Sequence, residues 1–227
     1  MGKGIIESHP ELKLNLKIIP HGYDPEDFNQ EVISTFRYKE ERLNFLYSGL
    51  FYESNQPDTF LRAVKSLVEE SPEVEEKIHF HFQGGLDKRI KKLIAKLNLE
   101  KLVSDYGYIP HNEAVNNLKK ADLLWMISNF SKELQQIKSG KLFEYIGSEK
   151  PIIGLVHEGE ARSLLDNYKA GYTASPLNIE EIKVVLSECI SHWKGGNLPV
   201  PSREIVNTFN RRILTEKLSS IFNVISS

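Results

Sequence analysis

The sequence predicts an open, doubly wound α/β domain on a parallel, Rossmann-like sheet, and three observations lead there. Short apolar runs alternate with amphipathic segments of about ten to fifteen residues, the pattern of right-handed βαβ units. Several runs close on glycine turns, at Gly49, Gly84 and Gly107. One run, 123–127, is apolar throughout, as a strand covered on both faces must be. In such a fold ligands bind outside the carboxyl ends of the strands, where those turns fall.

Taken in order, 1–41 reads as an entry strand and a connector. Leu16, Ile18 and Ile19 run into Pro20, His21, Gly22, Tyr23, Asp24 and Pro25, a short strand stopped by a Pro/Gly turn, and a charged stretch follows. The first strand of the main domain, 42–196, is expected over 44–49 and the first helix over 57–70, with Phe60, Ala63, Val64, Leu67 and Val68 on one face. A second strand spans 77–82, alternating polar and apolar residues, before the Gly84-Gly85 turn. Ile90, Leu93, Ile94 and Leu97 mark the next helix. A third strand is expected over 103–108, and Ala114, Leu118 and Ala121 lie on the helix after Pro110. The apolar strand 123–127 and the loop 128–138 come next, then a short helix over 139–147. Strand 151–156, helix 160–168, strand 171–174 and helix 179–193 complete the alternation. A Gly-Gly-Asn-Leu-Pro linker opens the last division, 197–227, whose amphipathic segment 202–224 carries Ile205, Phe209, Ile213, Leu218, Ile221 and Phe222.

The short helix 139–147 is the centre of the functional reading. Ser139 can cap it, Leu142, Phe143 and Ile146 form its apolar face, and Gly147 can end it. Its amino terminus presents free amides on the small, approachable Gly140, with the positive end of the helix dipole and Lys141 beside them, which suits phosphate. Glu144 lies one turn on, directed away from the apolar face, where a ribose attached to a bound diphosphate could place its hydroxyls. A capped helix with one exposed Glu and one exposed Lys is also an ordinary structural element, so its context matters.

Composition narrows the classes. With 227 residues, 40% hydrophobic and 26% charged, the chain can bury one sizeable core. A formal net charge of -2 gives no electrostatic case for nucleic acid or an anionic membrane as principal partner. The one cysteine, Cys189, cannot form an internal disulfide, and no Cys/His cluster has zinc spacing, which fits a reducing cytosol. The first residues lack the apolar core of a signal peptide, and no run approaches the ~20 apolar residues of a membrane span. No Ser/His/Asp set or paired catalytic carboxylates can be defended from spacing, and the catalytic residues stay unassigned. His79 and His81 share a strand face, without a third ligand at suitable spacing, and read as structural. The G-x-G-x-x-G of a standard NAD site is missing after Gly49.

From about Ile18 onward the chain resembles the C-terminal, donor-binding half-domain of GT-B glycosyltransferases, especially the retaining family 4 enzymes. The resemblance rests on Ile18–Asp24 as the turn entering the domain, Tyr47-Ser48-Gly49 as the first glycine loop, Tyr106–Pro110 as the loop holding the base, and Ala121–Leu124. Its most specific piece is Gly140–Tyr145 with Lys150–Ile153. The resemblance implies that Gly49, Tyr108, Ile109, Lys138, Ser139, Gly140, Lys141, Leu142 and Glu144 bind a nucleoside-diphosphate sugar. Glu144 would hold the ribose, and the amides of Gly140 and Lys141 the diphosphate. It implies no cofactor or metal. The acceptor, a glycan or lipid-linked sugar, would sit on an N-terminal domain missing here, and the closing helix would cross back onto that domain.

Three departures accompany the likeness, one being Gln56-Pro57 where the family has Lys-Gly after the first loop. Gln136 stands eight positions before Glu144, where the family has a first Glu, and Leu50 stands where it has an Arg after the loop glycine. Phosphate charge then falls to Lys138, Lys141 or another domain. The expectation is the donor-binding part of a hexosyltransferase of polysaccharide biosynthesis, inactive alone. Its expected place is the cytoplasm, with peripheral attachment at the inner membrane face open to the full-length protein. A non-catalytic nucleotide-sugar binding module and a sugar-nucleotide epimerase of the same fold are the alternatives.

Overall fold

Six parallel strands form one sheet in the order β3-β2-β1-β4-β5-β6 in the computed structural model, which describes residues 16–30, 32–34, 36–52, 55–128 and 140–225. The strands are β1 (Leu43–Ser48), β2 (Ile78–Gln83), β3 (Val103–Asp105), β4 (Leu123–Ser128), β5 (Ile152–Val156) and β6 (Gly171–Ala174). Between them run α1 (Asp58–Glu70), α2 (Lys88–Lys96), α3 (His111–Lys120), α4 (Gly140–Gly147) and α5 (Glu160–Tyr168), and α6 (Ile179–Lys194), α7 (Arg203–Thr208) and α8 (Arg211–Ile225) follow β6. The chain enters at the middle of the sheet, winds outward to β3, returns to β4 beside β1, and winds outward again to β6. The topological switch point therefore lies between β1 and β4, whose following loops diverge and leave a crevice.

Strand alternation divides the core. Phe45, Tyr47, Phe80, Phe82 and Trp125 face one side and pack with α1, α2 and α6, with Phe60 stacked 4.0 Å from the Trp125 ring. Leu46, Leu124, Met126 and Ile152 face the other side and pack with Leu118 of α3, Leu142, Phe143 and Ile146 of α4 and Leu165 of α5. Because both faces are covered, runs such as 123–127 can be apolar throughout.

Four expectations need correction. No strand forms over 16–19 among the described residues. Tyr23 instead pairs across a single bridge with Asn210, its amide donating to the Phe209 carbonyl at 2.9 Å, so the entry segment is held by the end of the chain rather than by the sheet. The third strand stops at Asp105, because the Asp105 carboxylate accepts the Gly107 amide and turns the chain, with Gly107 at φ 64°. The closing segment is two helices, broken at Phe209 and Asn210, where Phe209 is buried against Phe143. Gly147 does not terminate α4 through its own backbone freedom. The left-handed residue is Glu149, at φ 56°, and a β-carbon at Gly147 would fall 2.5 Å from Tyr23 Cγ, so glycine is required for close packing.

The alternating strand β2 is buried on both faces. His79 and His81 lie on the face covered by α3 and by Phe36 of the connector, whose ring centroid is 4.4 Å from that of His81. His79 Nε2 bonds Ser104 Oγ, while His81 bonds Tyr106 Oη through Nδ1 and Asn44 Oδ1 through Nε2, all at 2.9 Å. These bonds give both rings a structural task. Among the described residues no group of three or more acidic, His or Cys side chains could hold a metal ion, and no helix is long and apolar enough to cross a membrane.

Candidate functional site

A cleft of about 390 Å3 opens over the carboxyl ends of β1 and β2, on the β2 side of the switch point. Its floor is Ser48 and Gly49 from the end of β1 and Gln83 and Gly84 from the end of β2. Its walls are Leu50 and Tyr52 on one side, and Tyr108, Ile109 and His111 on the other. Gly49 and Gly84 sit at φ 118° and 115°, backbone angles that disfavour any side chain, and a β-carbon on Gly84 would fall 2.6 Å from the Gly49 carbonyl. Two strand ends thereby bend apart without filling the space between them. Tyr108 is exposed and Ile109 half-buried at the rim.

The helix α4 closes the neighbouring side because it follows β4, across the switch point from β1. Tyr145, fully buried on α4, accepts the Ser48 amide at 2.8 Å through its hydroxyl, so the helix is bonded to the residue that precedes the glycine loop. One turn earlier Lys141 folds back with its ammonium 3.7 Å from the Tyr47 ring centroid, and a β-carbon on Gly49 would lie 3.0 Å from Nζ. Lys141 also lines a smaller cavity of about 100 Å3 that shares Leu50 and Tyr52 with the main cleft. Desolvation brings the ammonium down to about 7, with the nearby Glu144 carboxylate opposing the shift.

Gly140 opens α4 in an exposed position where a β-carbon would meet nothing within 4 Å, leaving its backbone approachable. Glu144 is half-buried rather than freely exposed as expected. Burial pushes its carboxyl up, and His111, Lys141 and Arg211 pull it down against Asp27. Leu142 is wholly buried against the sheet, as expected of the helix's apolar face, so only its backbone is open to a ligand. Lys138 and Ser139, with the expected N-cap, lie outside the described residues, as does Gln136.

Gly49, Tyr108 and Ile109 line the main cleft and Lys141 the smaller cavity beside it, while Glu144 is within electrostatic reach of His111 on the cleft wall and Gly140 lines neither space. Sequence reading missed Ser48, Gln83 and His111. His111 carries a cleft wall and bonds Asp27 at 3.3 Å through Nε2, but the two residues are 84 apart in the chain, and a His after a Pro gives no sign of its partner. The residues present fit an anionic, polyhydroxylated ligand: a floor of two glycine turns, with a lysine and a carboxylate at adjoining edges.

Comparison with known proteins shows the family and the fold. The family of glycosyl transferases group 1 matches residues 29–196. A glycosyltransferase involved in lipopolysaccharide biosynthesis, WaaG, superposes on 96% of this chain and 60% of its own with TM-score 0.67 and 20% identity. Sucrose-phosphate synthase from Thermosynechococcus elongatus covers 98% of this chain and 56% of its own, with TM-score 0.65 and 17% identity. HepE from Anabaena, in a crystal structure with UDP and glucose, covers 92% and 57% with TM-score 0.63 and 13% identity. The chain spans about half the length of the solved structures it matches. No curated protein sequence matches it. Fold, crevice and family profile coincide, and the chain belongs to the glycosyl transferases group 1 family, with the Rossmann-like α/β fold of GT-B glycosyltransferases.

Proposed function

We propose that this chain is the donor-binding part of a hexosyltransferase that takes a nucleoside-diphosphate sugar as its donor. The base enters between Tyr108 and Ile109, the diphosphate meets the Gly140 and Lys141 amides and the Lys141 ammonium, and Glu144 accepts from the ribose hydroxyls. The observation that carries this reading is the approach of Lys141 to Gly49 on the floor of the 390 Å3 cleft, which lies at the carboxyl ends of the strands, where open α/β sheets take their ligands. The acceptor, a glycan or lipid-linked sugar, is held by a domain outside this chain. Transfer needs a second wall to orient the reactants and exclude water, so the 227-residue chain binds donor and transfers nothing.

The test is a thermal-shift and calorimetric screen with UDP, GDP, ADP and their sugars on the chain and on Glu144→Ala. A hundredfold excess over the dissociation constant stabilises by about 2.7 kcal/mol, well within detection. Binding by the chain that weakens on Glu144→Ala is the expected result; no response to any nucleotide overturns the reading. One observation favours a non-catalytic binding module instead: Leu50, 53% exposed, stands on the cleft wall where the family resemblance has an Arg. Sugar transfer by the full-length protein separates the two.

A further inference from the structure

A chain of buried amides beneath the cleft fixes which way one hydroxyl donates. Its polarity is set at both ends by backbone groups that have no choice. At one end, the side-chain atom of Gln83 lying 3.0 Å from the Ala114 carbonyl must be its NH2, because a carbonyl oxygen only accepts. That same nitrogen lies 2.9 Å from Ser48 Oγ and donates to it. Gln83 Oε1 therefore accepts, and Asn117 Nδ2 donates to it at 3.1 Å. Asn117 Oδ1 in turn accepts from the Ser34 hydroxyl, whose oxygen takes the Phe36 amide at 3.0 Å. The sequence of donors from Phe36 to Ala114 is self-consistent, with Gln83 and Asn117 each no more than 1% exposed.

The consequence falls on Ser48. Its amide is committed to Tyr145 Oη and its oxygen accepts from Gln83, while its one hydroxyl proton has no acceptor among the described residues. Ser48 is only half-buried and lines the cleft. The next residue, Gly49, is the one whose β-carbon position lies 3.0 Å from the Lys141 ammonium. A hydroxyl restricted to donating, one residue before the turn that a cation approaches, favours an oxygen that only accepts, and phosphate oxygens are of that kind.

We propose that Ser48 is a further donor-site residue, one that gives its hydroxyl proton to a phosphate oxygen of the bound nucleoside diphosphate, with Gln83 as the positioning residue that enforces this polarity. The proposal rests on the nucleotide-binding reading above and deepens it. Asn117 and Ser34 act through Gln83, so the connector contributes to the chemistry of a cleft it does not line.

The experiment compares nucleotide with nucleoside. UDP, GDP and ADP are titrated into the chain by calorimetry, and the tightest of them is carried forward with its nucleoside, followed by NMR. Ser48→Ala is expected to weaken the diphosphate about tenfold and leave the nucleoside unchanged, while Ser48→Thr restores binding. Gln83→Glu has no N–H to give, so the Ser48 proton turns toward it and the same tenfold loss appears with Ser48 in place. Should Gln83→Glu fail to fold, the Ala and Thr variants, checked by thermal melts, decide alone. Unchanged diphosphate binding in Ser48→Ala, or an equal loss for nucleoside and diphosphate, overturns this proposal while leaving the donor site standing. A wild-type chain that takes no nucleotide overturns both.

Discussion

Lys141 rests its ammonium 3.7 Å from the centroid of the Tyr47 ring, tying the first turn of α4 to the end of β1 across the switch point of the sheet. The contact holds Lys141 on the wall of a cavity it shares with Leu50, which stands where the family resemblance has an Arg. It also costs desolvation, since the ammonium is brought down to about 7. Below the unfolded value the unfolded chain holds the proton more readily, so stability is reduced as pH falls from about 10 toward 7 and regained as it rises. Lys141→Met should therefore stabilise the fold at pH 7.5 by about 1–2 kcal/mol, after the lost cation–π contact is subtracted, and weaken diphosphate binding. Urea unfolding and calorimetry on one variant read both signs.

Glu144 is a half-buried carboxylate whose own proton affinity is raised by burial. A carboxyl held above its unfolded value stabilises the fold only at low pH, and that contribution is lost as pH rises through the folded value. Glu144→Gln is thus expected to leave the fold as stable at pH 7 or slightly more so. Its cost should appear in binding: the wild type should prefer a ribonucleoside diphosphate over its 2′-deoxy analogue, and Glu144→Gln should lose most of that preference, about fivefold to tenfold. Equal affinity of the wild type for both ligands would remove Glu144 from the ribose.

Acid should loosen the other half of the sheet. Desolvation holds His79 at about 4 and His81 at about 3, with Lys39 adding to both, Arg42 to His79 and His79 itself to His81. The folded chain keeps these rings neutral while the unfolded chain protonates them from about 6.5 downward. Stability is then full above pH 6.5 and falls until the folded values are reached, by an amount on the order of a few kcal/mol. Denaturant midpoints measured from pH 7.5 to 4 should show this slope, and His79→Leu should reduce it by about one proton.

Gly147 faces Tyr23 at 2.5 Å and Phe28 Cε2 at 2.9 Å from the position of an added β-carbon. Those rings belong to the entry turn, which packs on the last turn of α4. Gly147→Ala should overpack this contact and destabilise the chain by about 1–3 kcal/mol in thermal melts. A backbone effect is not the cause, because the left-handed residue there is Glu149.

The sequence was most legible where a single strand or helix carries its own signal. Leu123–Ser128 and the stripe of Phe60, Ala63, Val64 and Leu67 state their burial in their spacing, and the bounds of Glu160–Tyr168 and Gly171–Ala174 follow directly. The entry segment misled because Leu16, Ile18 and Ile19 have strand composition, and nothing local records that their neighbour Tyr23 pairs with Asn210 instead. His79 and His81 read as the polar positions of an alternating strand, and the connector that covers them is distant in the chain.

By itself the sequence determined the alternation of strands and helices, the glycine turns at their carboxyl ends and the helix opening at Gly140, since propensity and hydrophobic period act over neighbouring residues. Tertiary structure alone decided that Lys141 folds onto Tyr47, that Tyr145 bonds Ser48, and that Gln83 leaves Ser48 free only to donate. These relationships join residues 35 to 97 positions apart. They arise from desolvation and saturated hydrogen bonds, which exist only after the two halves of the sheet have closed around the switch point.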